Sequence, residues 1–136
     1  MQYLIGVKVL DRKGRRIEGL YTHGRYTLAS ILTWEQLHDA NSCGRFFSIF
    51  DSMEECQKEI RKLSDAYYYE FHSRAKDLNV SPGEFGFFAL RLNTAKFRKM
   101  KFEKVEAGKT YCFGENIIKV PNDFSGSNRY IITSVE

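Results

Sequence analysis

Residues 51–78 read DSMEECQKEIRKLSDAYYYEFHSRAKDL, and the spacing of their apolar side chains decides the fold class. Met53, Cys56, Ile60, Leu63, Tyr67, Phe71, Ala75 and Leu78 recur at steps of three and four, which places them on one stripe of an α-helix. A strand would need alternation, and this run has none. Ser52 followed by Glu55 forms a capping box, with Asp51 as a rival cap, and Glu54 and Glu55 suit the positive end of the helix dipole. At the far end Asn79 can take the left-handed conformation and Pro82 blocks continuation. The expectation is one helix over 51–78, about 40 Å long at 1.5 Å per residue.

The sequence on both sides of this helix reads as strands. Residues 2–10 (QYLIGVKVL) suit a well-buried strand, 11–14 a turn and 17–21 the returning strand. Thr22-His23-Gly24-Arg25-Tyr26 reads as a second turn leading into a short strand over 25–28. Thr33 with Gln36 caps a short helix near 34–40. Residues 46–50 (FFSIF) suit a strand feeding the long helix. The almost continuous apolar run 85–92 (FGFFALRL) marks a central, covered strand. Residues 96–105 alternate, with Met100 and Phe102 inward and Lys99, Lys101 and Glu103 outward. A hairpin over 114–116 joins 110–113 to 117–120, residues 122–128 (NDFSGSN) form a loop, and 129–135 closes the sheet. The whole predicts an α+β fold in one domain over 1–136: a mainly antiparallel or mixed sheet of about six to seven strands packed against one long helix.

Composition narrows the class. A chain of 136 residues with 43% hydrophobic and 28% charged residues has the balance of an ordinary globular domain. No apolar run approaches a membrane span, and the N-terminus lacks the layout of a signal peptide, so no membrane partner and a cytoplasmic location are expected. Cys43, Cys56 and Cys112 are far apart and odd in number, which supports neither a zinc site nor a disulfide framework. Cys56 lies on the helix stripe and reads as a small core residue. His23, His38 and His72 are equally scattered, so neither a metal nor a cofactor is expected.

The net charge of +4 is unevenly distributed. Residues 1–50 carry seven Lys/Arg against four Asp/Glu, residues 51–84 five against eight, and residues 85–136 nine against five. The strand regions are therefore basic and the helix acidic. Arg12, Lys13, Arg15 and Arg16 crowd the first hairpin tip, and Lys99 and Lys101 line the outer face of 96–105. Such groups suit a phosphate backbone. Phe102 alternates onto the core side, which favours phosphate contact over base stacking.

No phosphate-cradling glycine loop, H-E-x-x-H, G-x-S-x-G, EF-hand or paired H-x-[ST] motif occurs. The best enzymatic remnant is His23 with Arg25, an acid/base and a phosphate anchor for metal-independent RNA cleavage. On the outward helix face, Tyr68, Tyr69 and His72 suit a protein partner or a homodimer. A small-molecule or nucleotide site under 122–128 is a further alternative. The leading expectation is a non-enzymatic binding protein that contacts nucleic acid or a nucleoprotein through its basic groups. Its size and lack of motifs are similar to those of small accessory or inhibitor proteins of phages and mobile elements, a likeness of style and not of matched residues.

Overall fold

Strand β1 (Tyr3–Leu10) buries side chains on both of its faces, as its largely apolar sequence, interrupted only by Lys8, requires. In the computed structural model, which describes residues 1–23, 31–38 and 44–135, it is the centre of a four-stranded antiparallel sheet. β2 (Arg16–Tyr21) pairs on one side, with Gly6 opposite Leu20, and β3 (Ile31–Thr33) extends that side. β4 (Gly86–Arg91) pairs on the other, with Ile5 opposite Ala89. The order β3-β2-β1-β4 corrects the reading of 85–92 as the central strand: it is an edge strand of half-buried side chains. Its apolar residues are divided between the sheet's two faces, so a continuous apolar run arises without full cover.

Helices cover one face. α1 (Met53–Ala66) and α2 (Tyr68–Leu78) replace the single helix expected over 51–78. They meet at Tyr67, where φ −100° and ψ 4° interrupt the regular backbone. The Tyr67 ring is held at 5.4 Å from Phe71 and 5.3 Å from Phe87. No Pro or Gly stands there, so tertiary packing is what fixes the break. Both ends are capped: Ser52 Oγ accepts from the Glu55 N–H at 3.2 Å ahead of Met53, and Asn79 caps α2 at φ 55°, ψ 46°. Ile5, Phe50, Cys56 and Ile60 form one core cluster beneath the helices, and Val7, Val9, Phe71, Ala75 and Phe85 a second. Burial of each Val, Ile or Phe among them contributes about 1.5–3 kcal/mol before entropy is counted.

The opposite face carries the rest of the chain. β5 (Met100–Lys104) pairs with β8 (Tyr130–Val135), with a bulge between Lys101 and Phe102, and β6 (Thr110–Phe113) pairs with β7 (Asn116–Lys119). Leu4, Leu20, Leu32, Phe47, Phe97 and Ile132 lock this layer to the first sheet. The eight strands among the described residues thus form three small sheets, not one of six or seven. Residues 46–50 are not a strand. They make isolated bridges, Phe50 to Tyr3 and Phe47 to Tyr130, and so join two sheets without belonging to either. Of the helix expected near 34–40, the described residues 34–38 hold a single 3-10 turn, Gln36–His38, and its capping pair forms: the Gln36 N–H donates to Thr33 Oγ1, and the Thr33 N–H to Gln36 Oε1. The strand expected over 25–28 lies outside the described residues.

β2 and β3 approach so closely at Gly19 that a Cβ there would overlap the Leu32 carbonyl. Replacing Gly19 with Ala is expected to cost at least about 1–3 kcal/mol of unfolding free energy, read by urea denaturation. A variant as stable as the parent would show that the two strands are not held this close.

Candidate functional site

The first hairpin turns on Asp11. Its Oδ1 accepts the Lys13 and Arg15 N–H groups at 2.9 and 2.8 Å, and Gly14 at φ 77° completes the turn. The same carboxylate pairs with Arg15 Nε at 2.8 Å, while Arg16 pairs with Glu18 at 3.2 Å. Hydrogen bonding from the Arg15 backbone keeps the Asp11 carboxyl below its usual range. Only Arg12 and Lys13 remain without an acidic partner among the described residues of the tip. Arg12 lines a cleft of about 450 Å³ with Arg74, Asp11 and Asp77, a mixed-charge surface. Half of the tip's expected charge is therefore neutralised locally.

The second basic group is arranged differently. Residues 93–99 turn back on themselves, with the Phe97 N–H donating to the Thr94 carbonyl at 3.1 Å and the Met100 N–H to the Phe97 carbonyl at 3.1 Å. Phe97 is 3% exposed in the core, and this anchor leaves Lys96, Arg98 and Lys99 on the outside. Lys99 thus stands in a turn, not on the strand expected over 96–105. Lys101 and Lys104 follow on β5, both exposed. Glu103 is the one acid in 96–104, and it pairs with Lys101 at 3.7 Å. Lys96 Nζ lies 3.6 Å from the centre of the Trp34 ring. Phe102 packs on Phe47 and Phe97, so no aromatic of this segment is free to stack on a base.

The two basic groups do not share one surface. Phe97, Met100 and Phe102 cluster with Leu4 and Leu90, whereas the tip follows Leu10. The six residue steps from Leu4 to Leu10 span about 20 Å of strand.

His23 lies in a cluster that its sequence neighbourhood does not announce. Its Nε2 is 2.6 Å from Ser48 Oγ, and Arg129 donates to the same oxygen at 3.2 Å. Arg129 also donates to the carbonyls of Ser127 and Asn128, at 2.9 and 3.3 Å. With Arg129 donating to Oγ, the serine hydrogen is directed at a neutral imidazole. Burial, reinforced by the nearby guanidinium, lowers the His23 pKa to about 4. The group ties together three segments: the end of β2, residues 46–50 and the approach to β8. Ser48, a polar residue inside FFSIF, was the only sequence hint of it. Arg25, the expected partner of His23, lies outside the described residues.

Tyr68 stacks on His72 at 4.0 Å, and His72 Nδ1 is 2.9 Å from the Tyr68 carbonyl oxygen. Tyr69 is 85% exposed. The three residues do share one surface. Cys56 is fully buried with its thiol pushed up to about 11 by burial, Cys112 is exposed, and Cys43 is not among the described residues. Among those residues, no group of three or more His, Cys, Asp or Glu is placed to hold a metal, and no helix is long and apolar enough to cross a membrane. Residues 122–128 are pinned by Phe124 against Phe46 and by Asn128 Oδ1, which accepts the Ile49 N–H. Compared with protein families, curated proteins and solved structures, the chain finds no match in any of the three.

The His23 environment fixes the sign of a pH effect. The unfolded chain binds this proton near pH 6.5, the folded chain only near 4. The neutral ring's contribution is complete above pH 6.5, is lost as pH falls toward 4, and is flat below that. Because the ring is only partly buried, the discounted loss is about 2 kcal/mol. His23→Gln is expected to flatten the stability profile over this window by that amount. An unchanged profile in denaturant melts would contradict the assignment.

Proposed function

We propose that the protein is a non-enzymatic binder of nucleic-acid backbone, acting through the cations of residues 96–104. The observation that carries this reading is the exposure of Lys96, Arg98, Lys99, Lys101 and Lys104 around a buried Phe97, with a single acid among them. The Lys101–Glu103 contact is a surface ion pair of little net stability, so a phosphate can displace it. Phe97 and Phe102 are turned into the core, which argues for phosphate contact without base readout. Arg12 and Lys13 serve as a secondary contact at a distance, not as part of one continuous face. Such a protein would act by occluding a nucleic acid or nucleoprotein, as an accessory or inhibitor does.

The ribonuclease-like alternative has less support. His23 is neutral at pH 7 and its Nε2 is engaged by Ser48, which leaves it poorly suited to donate a proton.

If four of the five cations each neutralise a phosphate, log Kobs on duplex DNA falls against log salt with a slope of about −3 to −4. Arg98→Ala/Lys99→Ala/Lys101→Ala is expected to reduce that slope by about 3, and Arg12→Ala/Lys13→Ala by less than about 2. Fluorescence anisotropy at several salt concentrations reads both. A flat salt response, or a larger loss from the tip variant, would overturn the reading.

A further inference from the structure

We infer that the open edge of β4 docks a second copy of this chain, strand to antiparallel strand about a two-fold axis at Ala89. The backbone registers point to this. The Leu92 N–H donates to the Gln2 carbonyl at 2.9 Å, in the same register that pairs Leu90 with Leu4, Phe88 with Gly6 and Gly86 with Lys8. Alternation in an antiparallel ladder then turns the N–H and C=O groups of Phe87, Ala89 and Arg91 away from β1. β4 ends the sheet, and among the described residues no backbone bond reaches that side.

The edge lacks the usual protections. Stable proteins blunt exposed edges with Lys, Pro, a bulge or an extremely short strand. β4 reads GFFALR, has no Pro, Lys or bulge, and keeps its only charge at the last position. The opposite edge, β3, spans three of the described residues.

The same edge is self-complementary. Pairing about Ala89 sets Phe87 opposite the second copy's Arg91, Ala89 opposite itself, and Arg91 opposite the second copy's Phe87. Each of these pairs exchanges two backbone bonds. Phe87 and Ala89 face the helices, and Arg91 shares that face by alternation. There a groove of about 150 Å³ opens beside Phe87, lined by Ser64, Tyr68, His72 and Phe85. The second copy's Arg91 arrives at this groove, where aromatic faces attract a guanidinium. Small Ala89 at the axis lets the two backbones approach. A second copy is therefore a better occupant than an unrelated strand: it supplies cation and aromatic at matching positions twice over. The surface does not overlap residues 96–104, so it stands apart from the backbone-binding reading.

Sedimentation velocity of the full chain over about a hundredfold range of concentration is expected to show a monomer–dimer equilibrium. Ala89→Pro should abolish the dimer and leave the circular dichroism unchanged, because the N–H it removes faces outward. Arg91→Ala should weaken the dimer about 3- to 30-fold. In Ala89→Cys, mild oxidation should link position 89 of one copy to position 89 of the other, identified by peptide mass, since Cα atoms about 5.5 Å apart lie within disulfide range. A chain that is monomeric throughout, or a dimer that Ala89→Pro leaves intact, would overturn the proposal. Should the proline variant fail to fold, the other two decide: a dimer that resists Arg91→Ala and that the Ala89→Cys variant does not cross-link overturns it equally.

Discussion

The short run from Phe46 to Phe50 is the clasp on which the arrangement depends. The Tyr3 and Phe50 backbones exchange bonds at 2.9 Å, Phe47 and Tyr130 exchange bonds at 2.8 and 2.7 Å, and the His23 N–H donates to the Phe46 carbonyl at 2.8 Å. One extended segment thus ties the central strand, the end of β2 and the start of β8 together. Its side chains do the same: Phe47 and Ile49 enter the core between the layers, and Phe50 the core beneath the helices. Ser48 lies inside this clasp, where an unpaired hydroxyl would be costly, and His23 and Arg129 supply its partners. Packing and polar satisfaction are sufficient physical reasons for His23, Ser48 and Arg129 to meet.

The clasp also decides where charge is presented. It seats the β5–β8 layer against the Leu4 end of β1, and the Phe97 turn carries its cations with it. The hairpin tip is left at the other end of the same strand, with its acids close by. The helices, net acidic in sequence, lie on the opposite face of the sheet from the β5–β8 layer. The cations of residues 96–104 and the β4 edge therefore belong to different parts of the fold.

Much of the local structure was legible in the sequence, because local chemistry determines it. Ser52, Glu55 and Asn79 mark the helix ends, Cys56 and Phe71 its buried stripe, and the alternation around Phe102 its inward direction. Legibility failed where distant residues decide the outcome. Nothing at Tyr67 breaks a helix locally, and its conformation is fixed by contacts that reach as far as Phe87. An apolar run such as FGFFALRL reports burial of its side chains but not whether the strand has one neighbour or two. FFSIF has the composition of a strand, yet its bonds are shared between two sheets. The His23 cluster joins residues 25 and 81 positions apart, a convergence that spacing cannot reveal.

The proposed phosphate-binding surface is the turn anchored by Phe97. The most direct measurement is an amide chemical-shift titration of the full chain with a mixed-sequence DNA duplex at low salt. The largest shifts are expected among residues 96–104, with small changes at the 12–16 tip and none confined to the helices. Shifts centred on the helices, or no shifts at any duplex concentration, would contradict it.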